Sequence, residues 1–441
     1  MFRSFPARIR FGASTSAYQI EGAFAEGGRG RTAWDVERGR NADGNIVGPV
    51  GDVACDHYHR FRSDVRLMKE LGLETYRFSI SWVRIFPEGE GKVNEEGVAF
   101  YDALIDELLA AGIVPAVTIW HGDLPYAFAK NGGWAERAMI FRYVAYATFL
   151  FERFGDRVKT WYTHNEPWCE SFLNDGPLPR QLAIAHHLLV AHALAVQAYR
   201  RSPHGDGKIG IVLNLARQYP ASPDPRDVEA ARNVDGFLNR WFLDPVLRGR
   251  YPADMIERYA RLGAKPPVAE GDMALLSDHP SDFLGINVYS RGVQAYDPDD
   301  PFLNSRDACP EDAVRTEMGW EVRPESLYDL LVDLEARFPG LSVQITENGA
   351  AFKDENVVDG IVRDDDRLAY YKGNLLALER AIRHGVDVTA YYAWSLFDNF
   401  EWGSYEMKFG IVKVDFATLE RSVKKSGRWY ADVIRRRGVE E

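Results

Sequence analysis

Residues 158–168 read VKTWYTHNEPW. The first eight are rich in β-branched and aromatic residues, the composition of a buried strand, and Pro167 ends the run because it has no N–H to give a sheet. At the end of that strand stands the pair Asn165-Glu166. Seven more runs of the same kind occur: IRFGAST (9–15), ETYRFSIS (74–81), IVPAVTIW (113–120), KIGIVLN (208–214), DFLGINVY (282–289), LSVQITEN (341–348) and VTAYYAWS (388–395). Helical patterns fall between them. SDVRLMKELG (63–72) places apolar residues at 65, 67, 68 and 71. FYDALIDELLAAG (100–112) and LAYYKGNLLALERAIRHG (368–385) each end at a glycine just before a strand, and QLAIAHHLLVAHALAVQAYRRS (181–202) is long and largely apolar. Strands alternating with helices over more than 400 residues predict an α/β fold: a (β/α)8 TIM barrel, one domain over residues 1–441 with long βα loops. The competing doubly wound sheet often carries a phosphate loop after its first strand. Here SAYQIEGAF follows, with neither G-x-G-x-x-G nor G-x-x-x-x-G-K-[ST], and EGGRGR (26–31) has neither spacing.

Composition narrows the function. The net charge is −12, with no basic stripe, which disfavours nucleic acid and anionic membranes as partners. Cys55, Cys169 and Cys309 are odd in number and scattered, so neither a disulfide framework nor a Cys-only zinc site is expected. MFRSFPARIRFG has no apolar core of a signal peptide, and no run of 18 apolar residues occurs, so a cytoplasmic location is expected. The aromatic load is heavy, at 11 Trp, 21 Tyr and 24 Phe, and many of the Trp sit beside Asn, Glu or His. Rings next to hydrogen-bonding groups suit sugars, although packing accounts for most single Trp residues.

Barrel active sites draw on the C-terminal ends of the strands. Tyr18, Gln19 and Glu21 follow the first, Arg77 lies in the second and His121 follows the third. Asn165-Glu166, Asn214, and Asn287 with Tyr289 end the next three. Glu347-Asn348 and Trp394 end the last two, with Glu401 and Trp402 just beyond. Polar residues at every end predict a pocket. Glu166 and Glu347, from the fourth and seventh strands, face each other across the mouth. Glycosidic cleavage needs such a pair: one protonates the leaving oxygen, and the other attacks the anomeric carbon or activates water.

With these residues in view, the chain resembles the family-1 glycoside hydrolases, the retaining β-glucosidases and their relatives. The likeness runs from about residue 10 to residue 432, through FGASTSAYQIEGA, DHYHRF, YRFSISWVRIFPEG, THNEPW, AHHLLVAHALAV, LGINVYS, MGWEVRPESL, ITENGA, YYAWSLFDNFEW and FGIVKVDFATLERSVKKSGRWY. The resemblance implies Glu166 as acid/base and Glu347 as nucleophile. Gln19, His121, Asn165, Tyr289, Glu401 and Trp402 would hydrogen-bond the sugar, and Trp394 would stack beneath it. Arg77, Asn287 and Tyr289 would orient the nucleophile and hold it ionised, and Trp168 and Trp320 would line the aglycone side. No cofactor or metal is implied; the substrate is a β-glycoside. Burial and the charge of Glu347 are expected to keep Glu166 protonated until Glu347 is esterified. Retention requires the carboxyl groups ~5–5.5 Å apart.

The chain departs from the family in three places. Gly122 in WHGDLP stands where the family usually has Trp; either a neighbouring aromatic fills the space or the pocket is wider and takes a bulkier glycone. SFLNDGPLPR (171–180) is a shortened loop, and EWGSYEMKFG (401–410) is one residue shorter than usual. Glu401 would repel a sugar phosphate. Ser404 and Lys408 lie nearby without the Lys-x-Tyr of the phospho-glycosidase branch, so a 6-phospho substrate is disfavoured. Transglycosylation with the same two glutamates, and a non-catalytic sugar-binding barrel, remain alternatives. CDHYH (55–59) has metal-ligating residue types but no second cluster. His187 and His192, five apart on one helix, do not share a face as paired ligands would.

Overall fold

The computed structural model describes residues 1–41, 43–174 and 176–441. Eight parallel strands close into a barrel: β1 (Arg10–Ser14), β2 (Thr75–Ser79), β3 (Val114–Trp120), β4 (Thr160–Asn165), β5 (Lys208–Asn214), β6 (Phe283–Asn287), β7 (Ser342–Asn348) and β8 (Asp387–Trp394). β8 closes the ring by pairing Ala390–Trp394 with Arg10–Ser14. All eight predicted runs are strands, with ends that differ by a residue or two. Strand β6 stops at Asn287, so Tyr289 projects from the following loop.

The outer layer contains α1 (His57–Glu70), α2 (Glu95–Ala110), α3 (Ala138–Phe154), α4 (Leu178–Arg201), α5 (Trp241–Arg248), α6 (Glu325–Arg337), α7 (Asp365–Arg383) and α8 (Lys425–Arg436). By length and composition α4 could cross a membrane, but 78% of its apolar window is buried inside the protein, where it packs on α3. The CDHYH stretch leads into α1. There His57 Nδ1 lies 2.8 Å from Asp64, which also accepts from Arg421, so these side chains tie the antiparallel pair Val412–Val414 and Arg421–Val423 to α1.

The barrel interior is filled in layers. Towards the N-terminal end, Tyr162, Phe283 and Tyr392 pack with Ala116, Val212 and Ala390. The Arg77 guanidinium lies over the Tyr162 ring at 5.3 Å. The carboxylates Glu166 and Glu347 come next. Pairing shifts register at both glutamate-bearing ends, between Tyr162 and Asn165 on β4 and between Ile345 and Glu347 on β7. Such irregularities re-aim side chains at strand ends.

The loop after β8 is held by buried charge. Lys424 Nζ lies 2.7 Å from Asp398 and 2.5 Å from Asp354, and Arg367 joins Asp354 to Asp364. Burial pushes the Lys424 amine down and the Asp398 carboxyl up, while each group's charge opposes the shift of the other. Removing the Lys424 cation leaves the buried Asp398 without its ion-pair partner, while Asp354 keeps Arg367. Breaking such a buried pair costs about 3–5 kcal/mol. Lys424→Met is therefore expected to lower the thermal unfolding midpoint clearly, measured by calorimetry; an unchanged midpoint contradicts this role.

Candidate active site

Glu166 and Glu347 line one cavity of about 1000 Å3 at the C-terminal mouth of the barrel. That is the upper end of the range for small-molecule sites, ~300–1000 Å3. Backbone hydrogen bonds anchor both residues: Glu166 N–H donates to Val212 O, and Glu347 O accepts from Val288 N–H, each at 3.0 Å. Glu166 has φ +48, in the left-handed region, and Pro167 opens a short helix directly after it. A non-glycine residue held there costs of order 1–3 kcal/mol, a strain that clusters at functional positions.

Arg77 organises the floor and is fully buried. Its Nη1 donates to Glu347 Oε1 at 2.7 Å, its Nη2 to Asn165 Oδ1 at 2.7 Å, and its Nε to Thr118 Oγ1 at 3.1 Å. The Tyr289 hydroxyl donates to the other Glu347 oxygen at 2.6 Å. Burial nevertheless pushes the Glu347 carboxyl up to about 7, with the Glu166 charge adding to the rise and Arg77 and Tyr289 opposing it. Burial, and then the Glu347 charge, push the Tyr289 phenol well above its ordinary value, so it remains a donor.

The resemblance sets Asn287 among the residues that orient Glu347; it pairs with Glu347 in the β6–β7 ladder, and its side chain turns to the other carboxylate. Its amide donates to Glu166 Oε1 at 2.8 Å and to Asn165 Oδ1 at 3.0 Å, while its carbonyl accepts from the Thr346 hydroxyl. The strand-end position was right, but Asn287 bonds the opposite carboxylate. The second oxygen of Glu166 accepts from the Cys169 thiol, with Sγ 3.1 Å away.

The remaining predicted residues converge on the same cavity. Asn165 Nδ2 donates to His121 Nε2 at 3.1 Å, which leaves the His121 proton on Nδ1. Burial and the Arg77 charge hold His121 well below its ordinary pKa, so the ring is neutral. Gln19 accepts from Ser16 and donates to Asn399 at 3.0 Å and to Glu401 at 3.3 Å. Burial raises Glu401 to about 8, with the Glu347 charge second. Trp394 stacks on His121, with ring centroids 5.9 Å apart and planes 13° off parallel. At the mouth, Trp320 packs on Tyr289 at 5.0 Å, and Trp168 packs on Phe172 and Phe237. Asp175, in the shortened loop, lies outside the described residues. Lys408 Nζ donates to the Tyr405 carbonyl, away from the cavity wall.

Trp34 and Cys169 are among the lining residues not assigned to the site from the sequence. Trp34, from the long loop after β1, packs on Trp402 at 4.9 Å and lines the cavity. Cys169 touches Glu166, although its place on the chain showed only proximity. At Gly122 the structure bears out the reading that a neighbouring aromatic fills the space: the Trp402 indole lies against the glycine.

The profile of glycosyl hydrolase family 1 matches residues 1–439. The chain is 44% identical to a beta-glucosidase A of Acetivibrio thermocellus, covering 99% of both chains. It is 37% identical to a 6-phospho-beta-glucosidase of Bacillus subtilis, covering 98% of both. The solved family 1 β-glucosidase from Thermotoga maritima superposes with a TM-score of 0.93 at 40% identity, covering 100% of both chains. A closed barrel with two glutamates converging at its mouth, and relatives alike over their whole length, lead to one conclusion: the chain belongs to glycosyl hydrolase family 1 and is a glycoside hydrolase.

Proposed function

We propose that the protein removes terminal β-linked glucose, or a closely related neutral sugar, by a retaining double displacement. The observation that carries this reading is the placement of Glu347, held by Arg77 and Tyr289, in the same cavity as Glu166. In the first step Glu347 attacks the anomeric carbon, the glycosidic C–O bond breaks, and Glu166 gives its proton to the departing oxygen. In the second, water attacks the same carbon, its proton passes to Glu166, and the ester to Glu347 breaks. Esterification removes the Glu347 charge, and Glu166 then acts as base. The two carboxyl groups belong at the ~5–5.5 Å separation of retaining enzymes. No cofactor enters these steps.

Within this reading Trp394 is the floor under the sugar ring. Gln19, His121, Asn165, Tyr289, Glu401 and Trp402 receive its hydroxyls, and Trp168 and Trp320 flank the aglycone. The kinship with β-glucosidases supports a neutral sugar. Glu401 and the turned-away Lys408 speak against a sugar 6-phosphate despite the phospho-specific relative.

The direct test is proton NMR of the first product from an aryl β-glucoside: the β-anomer is expected, and initial α-anomer overturns the mechanism. Glu347→Gly should lose turnover and regain it with azide, releasing the α-glycosyl azide. Glu166→Ala should lower kcat/KM about 10²–10⁴-fold for poor leaving groups, and far less for dinitrophenolate, which needs no proton.

The pH dependence follows from Glu347. Because burial raises this carboxyl, it gains its proton as pH falls and can then no longer attack. kcat/KM is expected to fall on the acid side with a midpoint below about 7, since Glu166 is protonated in the reacting form and its charge then adds nothing to the rise. Tyr289→Phe removes a hydrogen bond to the ionised form and should move that midpoint upward by about one pH unit. A midpoint that stays or falls in the variant contradicts the assignment.

A further inference from the structure

Gly122 and the shortened 401–410 loop are separate departures in the sequence, but the structure joins them. Gly122 has φ +84, and a Cβ built on it would lie 3.2 Å from Cη2 and 3.7 Å from Cζ2 of Trp402. The indole therefore rests on bare backbone, where any side chain would press on it. Trp402 itself has φ +41 and is followed by Gly403 at φ +111. A left-handed Trp is strained, and surrounding contacts must hold it.

Those contacts are rings. The Trp402 plane lies 18° from that of His121 at 6.1 Å and 2° from that of Tyr18 at 6.2 Å. Trp34 closes on it at 4.9 Å, and the Arg38 guanidinium lies 5.5 Å from the Trp34 ring. Aromatic pairs of this kind contribute beyond their buried area. The indole is thus clamped between the loop after β1 and the end of β3. Glu401, the preceding residue, is tied to Gln19 and by its own N–H to Ser404 O at 2.8 Å. A shift of the indole must carry the Glu401 backbone with it.

We propose that Gly122, in the wall of the cavity, is a specificity-determining residue for the glycone that acts through Trp402. The missing side chain leaves room for the outer edge of the indole close to the backbone. That position sets where Trp402 and Glu401 meet the hydroxyls of a neutral monosaccharide. Gly122 is a positioning residue in this scheme, and its effect belongs to the choice among glycones, not to the chemical step. The inference rests on the β-glycosidase reading above.

The test uses 4-nitrophenyl β-glycosides with one aglycone and four glycones: gluco, galacto, fuco and xylo. The variants are Gly122→Ala, Gly122→Asn, Trp402→Phe and Gly122→Ala/Trp402→Phe. Asn tolerates the left-handed backbone, so it carries the same expectation if Ala strains the turn. Each Gly122 variant is expected to change the ratio of kcat/KM between at least two glycones by about fivefold or more, mainly through KM, with kcat for the preferred sugar within about threefold of wild type. The smaller Phe ring should relieve the added methyl, so the double variant should match Trp402→Phe in its selectivity. Equal scaling of all four sugars, or single effects that simply multiply in the double variant, overturns the proposal. A wild-type enzyme that cleaves none of the four overturns the β-glycosidase reading instead, so the two failures are distinguishable.

Discussion

The Arg77 guanidinium lies inside the barrel, fully buried, and the polar arrangement of the site is built around it. It donates to Glu347, to Asn165, to Thr118 and, at 3.3 Å, to the carbonyl of Thr346. A buried ion is tolerated only when it is paired and its donors are satisfied. Its partners come from β3, β4 and β7, so strands far apart in sequence are held in one register by the same group. The link reaches the other glutamate through Asn165 and Asn287, the second of which bonds Glu166. Arg77, the two glutamates, the amides of Asn165 and Asn287 and the neutral imidazole of His121 thus form one connected network.

Burial and charge oppose each other throughout this network. Glu347 and Glu401 are both raised by desolvation; the Glu166 charge adds to the first, and the Glu347 and Glu166 charges add to the second. Glu401 lies beyond the hydrogen bonds of Arg77, on a loop fixed from behind by Lys424 and Asp398. The ion cluster under that loop and the Arg77–Glu347 ion pair are therefore separate, and a change in one should leave the other's geometry in place. Aromatic rings supply the rest of the rigidity. The parallel sequence Trp394, His121, Trp402 and Tyr18 forms a wall from the barrel rim to the long first loop.

The eight strands were legible because each is a buried run of apolar and β-branched residues interrupted at its end by a polar one. Glu166 and Glu347 were legible for the same reason, since a carboxylate that ends such a run has little structural purpose. Helices α3, α5, α6 and α8 were not among the sequence expectations. α8 contains Gly427 early in its course, and its buried face, including Tyr430, Val433 and Ile434, is sparse. Trp34 could not be found from sequence because it reaches the cavity only through the fold of a loop more than 30 residues long. The side-chain partner of Asn287 was hidden for a similar reason. Strand order tells which mouth a side chain faces, while the choice between two nearby carboxylates is made by hydrogen-bond geometry. The Gly122 departure was visible in the sequence, but its consequence depended on the indole that packs against it.

The most direct measurement is the site of covalent attachment. A 2-deoxy-2-fluoro β-glucoside with a dinitrophenolate leaving group slows the second step more than the first, so that the glycosyl-enzyme accumulates and its intact mass and peptide map can be read. The account predicts one sugar per chain, on the peptide that contains Glu347, and loss of activity in step with labelling. Attachment at Glu166, or complete turnover of the reagent with no covalent species, would contradict it.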